Sequence, residues 1–218
     1  MKFRFALVLA IGFLASVTAN AQNLLSNADF DSSPSPGWTA IGGGVGMTFS
    51  FSHNTNSGSP TVPLGAAQLN FSDPAGAGNS YGIYQCVSPI GTGPYSFGGR
   101  SYVLSATAGS SDFVQLTWFP ALDCSGTPTT IIANQMGTVT GIANGTTVSY
   151  IQHQSTNVSP PGGTMSVRIL ANSQTSGVGG AENITSLYDH MFLQCTSDVS
   201  GPSVTAPASV TVTQTTCM

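Results

Sequence analysis

Short stretches of this chain alternate between apolar and polar residues with a period of two. In residues 113–119, Val114, Leu116 and Trp118 lie on one side of an extended chain and the intervening polar residues on the other. This alternation is typical of a strand with one face in the core and the other toward solvent. We therefore expect Trp118 to be a core residue.

Residues 165–170 repeat the pattern, with Met165, Val167 and Ile169 on one side and Arg168 on the other. After residue 21, no segment carries apolar residues at helical spacing over three turns. The apolar runs are instead short and bounded by Gly, Pro, Ser and Asn, which is the pattern of strands and turns. The predicted strands are 47–52, 66–71, 81–87, 102–107, 113–119, 146–152, 165–170 and 186–194.

Half-buried antiparallel strands at this spacing predict an all-β protein, an antiparallel β-sandwich with no helices of note after the N-terminal segment. We assign the sandwich to residues 22–198, a length sufficient to bury a hydrophobic core. Residues 199–218 are rich in Pro, Ser, Thr and Val and contain no aromatic residue. They are expected to form a tail or an edge strand, or else the first strand of a further domain.

The N-terminus has the pattern of a secretory signal peptide. Lys2 and Arg4 precede an apolar stretch over 5–17, and small residues occupy Ala19 and Ala21. We predict cleavage after Ala21 and a secreted protein, extracellular or periplasmic. The alternative, a transmembrane anchor, is disfavoured because the apolar stretch is shorter than the ~20 residues that a span requires.

The charge content restricts the binding partners. Only 6% of the residues are charged, and beyond the leader the only basic residues are Arg100 and Arg168. Nucleic-acid binding is disfavoured, since it requires a basic surface that neutralises phosphates. No later segment is apolar enough to span a membrane. The oligomeric state is not predicted.

Export makes the four cysteines candidates for disulfide bonds. Their spacing does not match a zinc site, and disulfides are usual in secreted proteins. Three pairings are possible, and we favour Cys86 with Cys124 and Cys195 with Cys217. Free thiols are the alternative.

Three motifs, in order along the chain, resemble those of one family. They are NLLSNADFD at 23–31 followed by Gly-Trp at 37–38, IYQCV at 83–87 followed by YVLS at 102–105, and YDHMFL at 188–193. They are similar to motifs of the CenC-type carbohydrate-binding modules, which are galactose-binding-like jelly rolls of secreted bacterial proteins. Two positions depart from the family pattern, since Ala28 replaces a common Gly and Asp31 a usual Glu.

The resemblance implies a structural calcium ion near the first and last strands. Its side-chain ligands here would be Asp31 and Asp189, with Asp29 as the alternative to Asp31. Calcium prefers six to eight oxygen ligands. Asp189 alternates with Met191 and Leu193, so we expect its carboxylate to face inward, where it requires a cation or hydrogen-bond donors. The alternative is that the aspartates cap turns in solvent.

The resemblance also implies a site on the concave face or in the loops at one end. Sugar rings stack on aromatic side chains and bond to amide, hydroxyl or guanidinium groups. The candidates for carbohydrate binding are Tyr84, Tyr150, Gln152 and Arg168. The alternative for both tyrosines is a purely structural role in the sandwich.

Catalysis is not expected. Glycoside hydrolysis needs two positioned carboxylates, and the only glutamate, Glu182, lies beside a glycine-rich segment. No nucleophile elbow or zinc-protease motif occurs. We therefore predict a secreted, non-catalytic protein that binds neutral extracellular polysaccharide by aromatic stacking and hydrogen bonds. The alternative is a structural or adhesive cell-envelope sandwich without a sugar site.

Overall fold

The computed structural model describes residues 22–57, 65–138 and 150–196. Ten strands make up its regular secondary structure. They are β1 (Thr39–Gly42), β2 (Thr48–Asn54), β3 (Ala66–Asp73), β4 (Ser80–Val87), β5 (Tyr95–Ala106), β6 (Ser111–Phe119), β7 (Thr130–Thr138), β8 (Ile151–Val158), β9 (Ser166–Gln174) and β10 (Glu182–Cys195).

The strands form two five-stranded antiparallel sheets. The first sheet has the order β1-β4-β9-β6-β7 and the second has the order β2-β3-β10-β5-β8. This arrangement confirms the predicted all-β sandwich. Within the described residues, no helix has the length and apolar character needed to cross a bilayer.

The core lies between the sheets and is supplied by alternate residues of each strand. Val114, Leu116 and Trp118 are fully buried, which confirms the face predicted for β6. On β9, Val167 and Ile169 are also fully buried. The expectation for Met165 is wrong: it precedes β9 in the loop and is 44% exposed.

Several strand limits differ from those predicted. The short edge strand β1 and the strand β7 were not expected, and β8 begins only at Ile151. Part of the predicted strand 146–152 lies outside the described residues, as do residues 1–21 and 197–218. β5 begins at Tyr95 because Gly98 and Gly99 continue the strand, although paired glycines are usually a turn signal.

The segment before β1 is attached to both sheets by two amide side chains. Asn23 donates from Nδ2 to the Met191 carbonyl of β10 and accepts from the Leu193 amide. Gln85 of β4 accepts from the Ser26 amide and donates to the Ser26 carbonyl. The motifs that carry the family resemblance therefore meet at one place in the fold.

Trp38 closes the same part of the core. Its indole ring is 2% exposed and lies 5.1 Å from the Phe30 ring. Its Nε1 lies 3.3 Å from the carbonyl oxygens of Ser26 and Asn27. The polar atom of the ring thus has acceptors, and the apolar remainder packs in the interior.

One predicted disulfide is confirmed. Cys86 of β4 is bonded to Cys124 in the β6–β7 connection, with Cα atoms 6.0 Å apart. The bond closes a loop of sequence separation 38, which restricts the unfolded chain. For the second predicted bridge, Cys195 is buried in β10, and Cys217 lies outside the described residues.

A β-bulge changes the face on which Asp189 lies. The register of β10 against β5 shifts between Asp189 and Phe192, and His190 has a φ of 47°. Tyr188, Met191 and Leu193 all point into the core, whereas Asp189 lies on the outer face in register with Arg100. The expected inward orientation of Asp189 is therefore wrong, although its side chain is only 3% exposed.

Asp112 is a carboxylate at the edge of the core. It is 3% exposed, and its Oδ2 has no hydrogen-bond partner. Burial raises the pKa of Asp112 to about 6, against a weaker opposing effect of the Ser101 hydroxyl. The fold therefore favours the protonated form of this side chain.

We expect Gln85→Ala to lower the free energy of unfolding by about 1–3 kcal/mol, because it removes the hydrogen bonds that this amide makes to backbone groups of residues 26 and 37. Thermal and urea melts measure this change. The control is Gln154→Ala, which removes an exposed amide and should leave stability nearly unchanged. Equal midpoints for the two variants would contradict the role assigned to Gln85.

The pKa of Asp112 predicts a pH dependence of stability. Because the folded pKa of about 6 exceeds the ordinary 3.8, the contribution is fully present below pH 3.8. It is lost as the pH rises through 6. We expect Asp112→Asn to gain stability relative to the parent between pH 4 and pH 8, by up to about 3 kcal/mol. Urea melts across this range measure the difference, and parallel pH profiles would refute it.

Candidate functional site

The four predicted carbohydrate-binding residues lie on two opposite faces of the sandwich. Tyr84 of β4 and Arg168 of β9 project from the outer face of the first sheet. Tyr150, directly before β8, and Gln152 within it lie on the outer face of the second sheet. The structure thus brings the candidates together as two separate pairs.

On the first sheet, Arg168 lies between two aromatic rings. Its guanidinium carbon is 5.5 Å from the centroid of Tyr84 and 5.0 Å from that of Phe119. Both distances are within the range of cation–π attraction. The rings hold the planar guanidinium in place, which reduces the conformational entropy that Arg168 would lose on binding a ligand.

The donors of Arg168 make no hydrogen bond within the part of the chain that the structure describes. Among the described residues, no hydrogen bond or ion pair to Arg168 occurs, and its Nε is buried without a partner. Burial lowers the pKa of Arg168, and the nearby Tyr84 hydroxyl acts in the opposite direction. The side chain nevertheless remains a cation, because an arginine pKa is so high. Its terminal Nη nitrogens can therefore donate to oxygen atoms of a ligand, whereas the buried Nε cannot reach one.

The neighbouring positions add an amide, from Gln115, and a buried leucine, Leu170, which is 6% exposed. Leu170 is in register with both Tyr84 and Gln115, so the three side chains form one row across β4, β9 and β6. Gln115 donates from Nε2 to the Thr117 hydroxyl at 3.0 Å, which leaves its carbonyl oxygen as an acceptor. We call Tyr84, Gln115, Phe119, Arg168 and Leu170 the Arg168 platform.

Two platform residues were missed by the sequence reasoning. Phe119 and Gln115 lie on the face of β6 opposite Trp118, as the alternation along that strand requires. What the sequence did not show is that β6 pairs with β9. That pairing places Phe119 against Arg168.

The second pair borders a cavity on the other face. The cavity has a volume of about 460 Å³, and we call it the Gln152 groove. Its lining comes from the segment before β1 and from β5, β8 and β10: Asn23, Asp29, Ser96, Arg100, Gln152, Gln154, Thr156, His190, Met191, Phe192 and Gln194.

Tyr150 lies beside this groove without lining it. Its ring centroid is 5.6 Å from that of Tyr102. Its hydroxyl is buried and has no hydrogen-bond partner among the described residues. Burial raises the pKa of Tyr150, and the negative charge of Asp189 raises it further. Tyr150 therefore packs mainly against protein here.

The candidate metal ligands are gathered at one end of the Gln152 groove. One ligand atom each from Asp29, Asp189 and His190 lies within 4.8 Å of the others. Asp31 is exposed and does not belong to this group, whereas the alternative ligand Asp29 does. His190 Nδ1 is 2.5 Å from Asp29 Oδ1.

The two carboxylates fit a hard cation such as calcium, since both supply oxygen ligands. The imidazole of His190 does not belong to the ligand set that calcium prefers. In this structure it contacts the Asp29 carboxylate instead. The fit to calcium therefore depends on Asp29 and Asp189, together with backbone oxygens.

Glu182 is occupied by its own loop. Its carboxylate accepts hydrogen bonds from the Ser176 hydroxyl and from the amides of Gly177 and Val178. Burial alone would raise the pKa of Glu182, but these hydrogen bonds outweigh it and the pKa is lowered. The side chain thus shapes the β9–β10 connection.

No protein-family model matches the sequence, and no curated protein matches it. Solved structures with a similar fold include a carbohydrate-binding module from the β-sandwich superfamily, studied for its promiscuous specificity. This match has a TM-score of 0.53 and 10% identity, and covers 80% of this chain and 61% of the other. The chain has the sandwich fold of carbohydrate-binding modules.

Two further matches have lower structural scores. A family 61 carbohydrate-binding module in complex with β-1,4-galactotriose has a TM-score of 0.47 and 16% identity, with 80% of this chain and 99% of the other covered. The family 22 and catalytic modules of a Clostridium thermocellum xylanase, complexed with xylohexaose, have a TM-score of 0.47 and 12% identity. This match covers 81% of this chain and 29% of the other.

Proposed function

We propose that this protein binds neutral carbohydrate, without catalysis, at the Arg168 platform. The observation that carries the proposal is the Arg168 guanidinium, held between Tyr84 and Phe119 while its hydrogen-bond donors contact no described residue. A hydrogen-bond donor that is already held in position, beside a partly exposed tyrosine ring, is a combination that suits sugar recognition.

The binding would use three kinds of contact. The apolar face of a sugar ring packs on the partly exposed Tyr84 ring, and the terminal nitrogens of Arg168 donate to ring or hydroxyl oxygens. The Gln115 carbonyl accepts from a sugar hydroxyl. A neutral glycan is favoured over a polyanion, because Arg168 is a single cation in a chain with very few basic residues. The sandwich fold, shared with carbohydrate-binding modules, supports this function without specifying the sugar.

We place this activity outside the cell, after removal of residues 1–21. The Cys86–Cys124 bond supports this location, since disulfides persist in oxidising compartments. Mass spectrometry of the exported protein should show a chain that begins at Gln22.

A structural calcium ion is part of the proposal. Asp29 and Asp189 would hold it between the segment before β1 and the last strand, and the ion would join these two parts of the sandwich. Its contribution would be to stability, since no ligand atom of this group lies on the Arg168 platform.

We expect Arg168→Ala to weaken polysaccharide binding by about 10-fold to 100-fold, since hydrogen bonds to charged groups contribute about 1.5–3 kcal/mol. Affinity electrophoresis in gels containing galactan, xylan, mixed-linkage β-glucan or galactomannan measures the retention. Arg168→Lys should retain only part of the affinity, because lysine lacks the planar donor fork.

The control for this measurement is Asn183→Ala, which removes an exposed amide of the second sheet, away from the platform. Its retention should equal that of the parent. The melting temperatures of all variants establish that they are folded. An Arg168→Ala protein that is folded and retained like the parent would contradict the assignment of the platform.

For calcium, we expect EDTA to lower the melting temperature of the parent protein, because ligand binding to the folded state alone stabilises it. Asp29→Asn and Asp189→Asn should remove this sensitivity, and Asp31→Asn, the matched control, should retain it. Identical melts of the parent with and without EDTA would exclude the ion. Loss of sensitivity in Asp31→Asn alone would assign the ligand to Asp31 instead.

A further inference from the structure

The Gln152 groove lies across β10, β5 and β8 on the outer face of the second sheet. On β5, Phe97 is fully buried in the core, so its neighbour Gly98 occupies the outer face. Gly98 is in register with Gln154 of β8 on one side and Phe192 of β10 on the other. Gln154 and Phe192 therefore flank β5 from opposite sides, and both line the groove.

The walls of the groove have the chemistry of a hydroxyl-binding site. Gln152 and Gln154 are exposed side chains, joined by a single contact of 3.4 Å from Gln152 Nε2 to Gln154 Oε1. The Gln152 side-chain carbonyl oxygen (Oε1) and the Gln154 side-chain amide nitrogen (Nε2) therefore remain available to a ligand. Each amide offers both donors and acceptors, as a sugar hydroxyl does. The half-buried Phe192 ring supplies an apolar surface on the opposite wall.

The charges around the groove exclude a polyanion. Arg100 is the only lining residue with a permanent positive charge, and Asp29 lines the same end. Asp189 is in register with Arg100 on that face. The cationic charge is thus matched by carboxylates, which favours an uncharged ligand. The volume of about 460 Å³ is within the range of about 300–1,000 Å³ typical of ligand sites.

The position of the groove relative to the Arg168 platform determines whether one glycan chain can occupy both sites at once. The platform is on the outer face of the first sheet and the groove on the outer face of the second. The two sheets of a sandwich pack about 10 Å apart with their outer faces directed oppositely. One extended glycan chain cannot lie on both faces, so two occupied sites engage two chains.

We infer that the Gln152 groove is a second saccharide-binding site, and that the protein is bivalent and cross-links neutral glycan chains. The ligand class rests on the function proposed for the Arg168 platform. The groove itself stands on its own geometry: a cavity with two exposed amides on one wall, an aromatic ring on the other and balanced charge. Cross-linking also provides avidity, because two moderate sites on neighbouring chains bind more tightly than either alone.

The test compares three proteins, Arg168→Ala, the double variant Gln152→Ala/Gln154→Ala, and a protein with all three changes. The probes are galactan, xylan, mixed-linkage β-glucan and galactomannan, with hexasaccharides prepared from each. The polysaccharide that binds the parent protein is identified first. Isothermal titration calorimetry with the hexasaccharide prepared from it then counts the binding sites per chain. Turbidity of a mixture of the protein with the same polysaccharide reports cross-linking. Both glutamines are exposed, so their replacement should not affect folding, and Asn183→Ala is the matched amide control.

We expect two sites per chain in the parent and in Asn183→Ala, one in Arg168→Ala, one in the double glutamine variant, and none in the triple variant. Only the parent and Asn183→Ala should make the polysaccharide turbid. A parent with one site, unaffected by the glutamine changes, would overturn the second site and leave the proposed function intact.

Other outcomes separate the two proposals further. If Arg168→Ala retains every site of the parent while the glutamine variant loses binding, the platform assignment and bivalency both fail. Binding would then reside in the groove. If none of the four probes is bound by the parent, the proposed function and this inference are overturned together.

Discussion

The packing of two antiparallel sheets around one apolar interior is the constraint on which every other feature of this protein depends. Trp118, Tyr188 and Leu116 are fully buried between the sheets, and each such side chain contributes roughly 1.5–3 kcal/mol by leaving water. Shifting any strand by one residue would move these side chains to solvent. The register that buries the core therefore also decides which side chains project outward.

The outward positions follow from the same register. Arg168 projects from the first sheet because its neighbours Val167 and Ile169 point into the core. On the second sheet, Gly98 faces outward because its neighbour Phe97 points into the core. Both candidate sites are thus consequences of core packing rather than of mobile loops. Sites on strands are held more rigidly than sites on loops, which reduces the ordering cost of binding.

A small number of polar side chains completes the fold where the backbone ladders end. Asn23 and Gln85 join the segment before β1 to both sheets, and Asp73 and Glu182 organise the loops at the end of the sandwich that holds the glycine-rich β9–β10 connection. Burial acts to raise the pKa of Asp73, but hydrogen bonds from Asn79, Ala77 and Thr175 outweigh it and lower the pKa. In these described loops, directed hydrogen bonds to the two carboxylates therefore hold the backbone in place.

The sequence by itself determined the class of the fold and the faces of individual strands such as β6, because period-two alternation is a local property. It left three cysteine pairings possible, and the structure confirms the favoured Cys86–Cys124 bond. The sequence also predicted that Tyr84 and Arg168 are candidate site residues. Only the tertiary structure decided that these two meet, that Phe119 joins them, and that Tyr150 and Gln152 lie on the opposite face. Strand order brings distant residues side by side, and the bulge at Asp189–Phe192 re-orients a carboxylate, and neither is encoded in the alternation of a single strand.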